Sequence, residues 1–305
     1  MSTEQVADAT TDEQLRAGVV GVGSMGENHA RVYAELPRVD LVGITDHDDD
    51  VADRVAAAYD TEAVSLETIL ERCDVVTVAV PTHAHYETVS TCLEAGVHVL
   101  VEKPIAETVQ QGRELAEQAH DAGLVLQVGH IERFNPAVQT VAELIDDLDV
   151  ISVAAERLGP PVDRVAPGNV IYDLMVHDVD VVGAILDKRP HSVAAMGTDD
   201  GQYATATIEY DDVVATVTAS RVTQKKVRRL TVTARECLVE VRLPRAVGAD
   251  PPRFLSRIPR GRRPVPISPR ERRRTPSRRH RRAAPQRTRV VRRGSQSLLR
   301  PRGNG

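Results

Sequence analysis

The chain has 305 residues, a formal net charge of -5, 41% hydrophobic residues, 3% aromatics and no Trp, and its length suits two domains of ordinary size better than one small core. The charge is unevenly placed: residues 251–305 carry 19 of the 39 Lys and Arg and a single acid, Glu271, leaving 20 bases against 43 acids in residues 1–250. Three scattered cysteines, Cys73, Cys92 and Cys237, form no CxxC pair and exclude a disulfide framework or zinc ribbon, so reduced, mostly buried thiols are expected.

Residues 1–14 are polar and acid-rich, without the basic start and apolar run of a signal peptide. No later apolar stretch reaches the roughly 18 residues needed to span a bilayer. A cytoplasmic protein with no membrane partner is expected, and the acidic body reads as halophilic, kept in solution by carboxylate hydration.

From residue 15 to 128, short continuous apolar runs alternate with helical patterns. AGVVGVG precedes a helix over 25–36, VDLVGIT a helix over 51–58, DVVTVAV a helix over about 83–95, VHVLVEKP a helix over 108–122, and LVLQVGH ends the series. This is the rhythm of a parallel α/β sheet covered on both faces, a doubly wound Rossmann domain. After residue 129 the pattern changes to helices near 136–147 and 172–185, a strand near 150–156, and alternating runs such as ATATIEY, VVATVTA and CLVEVRL. The alternation predicts an α+β domain over 129–250 whose mostly antiparallel sheet has one packed and one open face, with hairpin turns at 210–212 and 234–236. The open face hints at a homo-oligomer formed through that sheet.

The chemistry begins at Gly21-Val22-Gly23-Ser24-Met25-Gly26, which follows an apolar strand and opens a helix, so that its backbone can approach a pyrophosphate at the positive helix end. The second strand ends in Asp46, 20 residues after Gly26, where a carboxylate accepts from ribose hydroxyls and repels a 2′-phosphate. NAD is therefore the expected cofactor. The competing reading of Asp46 is the first acid of the turn that continues through Asp48, Asp49 and Asp50, themselves expected as helix-start acids. The third strand ends at Pro81-Thr82-His83 and the fourth at Glu102-Lys103-Pro104, both at the carboxyl edge where a nicotinamide would lie. His83 and His85, two apart at a helix start, face different sides, so a shared metal is not expected. Asp173 and His177 stand four apart on one helix face, where a carboxylate and an imidazole can orient a hydroxyl and take its proton.

Through GVGSMGENHA, PTHAHY, EKP and the DxxxH spacing of Asp173 and His177, the chain resembles the Gfo/Idh/MocA oxidoreductases over approximately residues 15–245. The resemblance implies that His177 takes the hydroxyl proton while hydride leaves the same carbon, that Lys103 positions that hydroxyl and that Asp173 supports the site. Glu102, Lys103, Pro81, Thr82 and His83 would lie against the cofactor. The segment from Val128 to Pro136 looks like the subgroup that oxidises UDP-N-acetylglucosamine at its 3-hydroxyl, so a sugar or sugar nucleotide is the expected substrate, with another sugar or a polyol, as in other dehydrogenases of the same family, as the alternative. Arg133, Asn135 and Arg157 would serve its diphosphate or sugar, although Arg133 equally suits a salt bridge at a helix start. The presence of Lys103, Asp173 and His177 together argues against a non-catalytic NAD-binding sensor or scaffold.

The resemblance breaks after residue 245. Members of the family finish with a further strand and helix, but here a Pro- and Arg-rich stretch without periodicity begins, and disorder is expected over 251–305. Such a composition is what a wrong reading frame of a GC-rich gene yields. The alternative, a tail that binds nucleic acid by neutralising phosphates, lacks the interleaved aromatics or folded module that would support it.

Overall fold

In the computed structural model, residues 14–161 and 168–243 are described, together with the backbone of 253–257. The first sheet has five parallel strands: β1 Leu15–Val20, β2 Val39–Thr45, β3 Val75–Val78, β4 His98–Val101 and β5 Leu126–Val128. They lie in the order β2-β1-β3-β4-β5. The crossovers carry helices α1 Ser24–Glu35, α2 Asp49–Ala58, α3 Leu66–Arg72, α4 Thr82–Glu94 and α5 Val109–Asp121.

Adjacent residues of a strand point to opposite faces. Val19 accordingly packs with Ala30, Ile44 and Val55 beneath α1 and α2, whereas Val20 packs with Ile69, Val89 and Leu115 beneath α3, α4 and α5. Both faces are apolar and covered, as the continuous Val-rich runs predict, and each fully buried Val or Leu contributes about 1.5–3 kcal/mol. The short α3, which the apolar pattern did not announce, is capped by Ser65, whose hydroxyl accepts from the Thr68 N–H. Asp48 caps α2 in the same way, with Asp49 and Asp50 in its first turn, where acids favour the positive helix end.

The second sheet has seven strands in the order β12-β11-β10-β6-β9-β8-β7. They are β6 Val150–Leu158, β7 Ser192–Gly197, β8 Tyr203–Tyr210, β9 Val213–Ser220, β10 Val227–Ala234, β11 Leu238–Arg242 and β12 Arg253–Arg257. All neighbours are antiparallel except β6 and β9. Both predicted hairpins form: Tyr210 pairs with Val213 around Asp211, whose φ is 45°, and Thr233 pairs with Leu238. One face packs on α6 Pro136–Ile145 and α7 Val176–Leu186 around Val153, Val217 and Leu230. Val193, Met196 and Val214 stay exposed.

Two expectations are corrected. The helix expected over 172–185 is not α-helical throughout, because Ile171–Met175 forms a π-turn before α7; wide turns of this kind occur mostly as single insertions near functional sites. The stretch expected to be disordered from residue 251 contributes β12, which pairs with β11 from Leu238↔Arg257 to Arg242↔Arg253. A final strand is therefore present despite the Arg-rich composition, since backbone pairing at a sheet edge needs no apolar alternation. Residues 258–305, on which the reading-frame and nucleic-acid readings bear, lie outside the described residues. Among the described residues no helix is long and apolar enough to cross a membrane. Cys73 and Cys92 are buried free thiols, and Cys237 is partly buried; burial pushes Cys73 up to about 11 and Cys92 up to about 12.

Candidate active site

The Gly-rich turn is built by close approach. Gly21 has φ +84°, and a Cβ there would meet the Ala79 and Val80 backbone at 2.8–2.9 Å; a Cβ on Gly26 would lie 1.8 Å from the Gly21 carbonyl oxygen. Gly23 differs, with nothing within 4 Å of its Cβ position, and as N-cap of α1 it offers no side-chain cap. The Gly23 Cβ position thus opens on free space at the start of α1 with no side-chain cap, which leaves room for a pyrophosphate to approach the positive helix end. Gly26→Ala is expected to destabilise the fold by about 1–3 kcal/mol through overpacking and to lose NADH binding with it. Gly23→Ala should melt like wild type and still bind NADH weakly, a contrast that thermal unfolding and fluorescence titration would read.

Asp46 closes this turn from below. Its Oδ2 accepts the Val22 N–H at 2.7 Å, and its Oδ1 accepts the Asp48 N–H at 3.2 Å and His47 Nδ1 at 2.7 Å. Burial works against its charge, but these hydrogen bonds outweigh it and hold the carboxyl below its ordinary range. Asp46 therefore remains an anion and also organises the acidic turn, so both readings of it describe real contacts. Capacity for a ribose hydroxyl remains chiefly on Oδ2.

A cleft of about 700 Å³ opens at the carboxyl edge of the parallel sheet. Of the residues singled out in the sequence, Met25, Pro81, Thr82, His83, His85, Glu102, Lys103, Pro104 and Asp173 line it. Glu102 is buried and accepts His29 Nε2–H at 2.8 Å and the Lys103 N–H at 3.3 Å. Burial alone would raise its pKa; the His29 contact reverses the direction. The Lys103–Pro104 peptide is cis. Lys103 Nζ donates to the Asp173 carbonyl oxygen at 3.2 Å and lies 3.6 Å from Asp173 Oδ1.

Asp173 owes its orientation to a residue the sequence did not reveal. Arg221, just after β9 and 6% exposed, donates to Asp173 Oδ2 and, at 3.2 Å, to the Gly168 carbonyl oxygen. Burial pushes Asp173 up, while Arg221 and Lys103 outweigh that and keep it ionised. An isolated Arg that follows an alternating strand carries no helical or turn pattern, so nothing short of the sheet itself links positions 173 and 221.

His177, four residues on, is not among the residues lining the cleft. Its Nδ1 is buried with no hydrogen-bond partner. Burial, reinforced by the positive charges of Lys103 and Arg157, pushes its pKa down to about 4, so the imidazole is neutral near pH 7.

The three residues expected at the diphosphate or sugar are engaged within the protein. Arg133 forms a bidentate pair with Asp180, its Nε at 2.8 Å from Oδ2 and a terminal nitrogen at 2.5 Å from Oδ1, which is its salt-bridge reading. Asn135 is buried as the N-cap of α6, accepting from the Ala137 N–H and donating to Glu132 Oε2. Arg157, 5% exposed, donates from Nε and a terminal nitrogen to both oxygens of Asp178 at 2.8 Å and from the other to Glu132 at 3.0 Å. Burial disfavours its charge, but those bonds prevail and raise its pKa. Sequence spacing placed these residues near one another without showing that buried carboxylates wait for them. Among the described residues no cluster of His, Cys, Asp or Glu could hold a metal ion.

Comparison with known proteins agrees with this geometry. Residues 15–130 match the oxidoreductase family model with the NAD-binding Rossmann fold, and residues 152–239 the GFO/IDH/MocA C-terminal domain. UDP-N-acetylglucosamine 3-dehydrogenase from Acidithiobacillus ferrooxidans is 34% identical over 224 residues, which are 72% of this chain and 71% of that protein. Its crystal structure superposes with a TM-score of 0.71 at 33% identity, covering 75% of this chain and 77% of that one. Inositol 2-dehydrogenase from Rhizobium meliloti is 28% identical over 190 residues, 59% of this chain and 58% of that protein's length. The chain thus spans less than two thirds of this second relative. With a Gly-rich cradle, an acid at the end of β2 and a Lys–Asp pair at the sheet edge, the chain belongs to the Gfo/Idh/MocA family of NAD-binding oxidoreductases.

Proposed function

We propose that this protein oxidises a secondary hydroxyl of a sugar nucleotide, the 3-hydroxyl of UDP-N-acetylglucosamine, with NAD as hydride acceptor. The observation that carries the reading is the Lys103 ammonium held by Asp173 on the wall of the cleft, with a neutral His177 on the adjoining turn. Bound NAD supplies the electrophilic ring that takes up hydride. Lys103 donates to the substrate oxygen and stabilises the negative charge that grows on it as its proton leaves. His177, unprotonated, receives that proton, and the same carbon becomes a carbonyl as its hydride departs. Asp173, fixed by Arg221, keeps the Lys103 ammonium aimed rather than taking part itself. Oxidation and proton transfer balance: one hydride to NAD, one proton to His177, one ketone left behind.

Support for the sugar nucleotide comes from the 34% identical relative and the Val128-to-Pro136 segment rather than from the internally engaged Asn135 and Arg157. Arg133, its side chain 52% exposed, is the member of that trio still open to solvent. The acidic body favours assay at high salt, and the exposed face of the seven-stranded sheet favours association of like subunits. The deciding test is NADH formation by the full chain with UDP-N-acetylglucosamine, UDP-glucose, glucose and myo-inositol as separate substrates. The proposal expects kcat/KM to be highest with UDP-N-acetylglucosamine. Preference for myo-inositol would move the chain to the polyol branch that its second relative occupies, and NADH binding without turnover of any of the four would remove the substrate assignment.

A further inference from the structure

His85 lies outside every role assigned so far. It is 1% exposed in the first turns of α4, where its Nδ1 reaches the Pro104 carbonyl oxygen at 2.8 Å and its Nε2 the Val80 carbonyl oxygen at 2.9 Å. Val80 and Pro104 both line the cleft, and they belong to the two loops that leave neighbouring strands β3 and β4. Those strands are in register as far as Val78↔Val101, and the last main-chain bond between them runs from the Glu102 N–H to the Val78 carbonyl at 2.9 Å. Beyond that point, among the described residues, the His85 ring is the side chain within hydrogen-bonding distance of both loops; bridging the two carbonyls takes both ring N–H groups, and a ring with a single N–H donates to one of them and only contacts the other. His83, two residues earlier, is exposed, and both histidines are among the residues that line the cleft.

We infer that His85 is a positioning residue of the NAD site: one buried imidazole, spanning the carbonyls of Val80 and Pro104, sets the spacing between the two loops that receive the nicotinamide half of the cofactor. The inference rests on the cofactor reading and not on the identity of the sugar. Preorganised walls save a ligand the cost of ordering them, so the loss of this clamp is felt as affinity for NADH. Leucine at 85 fills similar volume but removes the ring N–H donors from both carbonyls, whereas glutamine keeps amide N–H groups that can reach one of them.

The test is NADH affinity of the full chain by fluorescence titration, beside thermal midpoints, for wild type, His85→Leu, His85→Gln and Val89→Ala. Val89 is fully buried one turn further along the same helix, carries no hydrogen-bonding group, and controls for general loosening. Loss of one or two well-placed hydrogen bonds should raise Kd about threefold in His85→Gln and about tenfold or more in His85→Leu, with Val89→Ala close to wild type whatever its melting temperature. Equal Kd increases in His85→Leu and Val89→Ala would overturn the clamp and leave a merely structural histidine. Should His85→Leu fail to fold, His85→Gln against Val89→Ala decides in the same way. A folded wild type that does not bind NADH would remove the cofactor site and this inference together.

Discussion

Replacing His177 with leucine is expected to lower kcat for NADH formation by about 10²–10⁴-fold, the usual worth of a positioned general base, while NADH still binds and the protein melts no lower than wild type. The second half of that expectation follows from burial. His177 keeps Nδ1 away from water without a partner, a condition that costs about 1–3 kcal/mol, so an apolar side chain of similar size relieves the native state as it disables the reaction. Combined steady-state kinetics and thermal unfolding of one variant read both halves. Activity within a factor of a few of wild type would show that another group, or water, takes the proton.

The pH dependence follows from the same site. The pKa of His177 stands at about 4 in the folded chain against an ordinary 6.5, because burial and then the Lys103 and Arg157 charges disfavour the imidazolium. A folded pKa below the unfolded one means that the unfolded chain binds the proton first as pH falls. The native state is therefore unaffected by this group above about pH 6.5 and is progressively destabilised from there down towards about 4. In that same window the base stays free, so the acid limb of kcat/KM should fall nearer pH 4 to 5 than 6.5, provided the protein remains folded. A limb at 6.5 would mean that the imidazole is solvated in the working enzyme.

The largest stability effect is expected at Arg157. Asp178 is 2% and Glu132 4% exposed, and Arg157 supplies three of the donors that hold them. Arg157→Met leaves two buried carboxylates with too little positive charge, a change that typically costs about 3–5 kcal/mol, although Arg228, 3.7 Å from Glu132, offsets part of it. Urea unfolding should show a lower midpoint with an unchanged slope. Replacing Arg157, Asp178 and Glu132 together by apolar residues should recover most of the loss, since the penalty belongs to the unpaired charges and not to the missing pair. A single-variant loss below about 1 kcal/mol would mean that water reaches the carboxylates and that the network is less dry than its exposure indicates.

Much of the parallel domain was legible because its strands are written locally. Continuous Val-rich runs separated by helical patterns, a glycine wherever two backbones touch, and an acid 20 residues after Gly26 are all features within a few turns of chain. The seven-stranded sheet was legible in its alternation and its hairpins, where Asp211 sits between paired neighbours. Its parallel β6–β9 pair was not, for strands about 60 residues apart declare no partner in their own residues. The π-turn at Ile171–Met175 was equally hidden, since a one-residue widening leaves the spacing of apolar side chains almost unchanged.

The sequence by itself determined the fold class and the NAD-binding Rossmann domain, and it singled out Lys103, Asp173 and His177 as candidates for the chemistry, because each reading rests on residue type at short spacing. Only the tertiary structure decided which polar groups are spent on holding the protein together. It turned Arg157 and Asn135 from substrate candidates into a buried network, paired Arg133 with Asp180, and brought Arg221 to Asp173 and His85 to two cleft carbonyls. The physical reason is that a charged or hydrogen-bonding side chain reads the same in sequence whether it faces solvent or a buried partner. The cost of leaving buried groups unpaired, felt across the whole packed chain, is what assigns them.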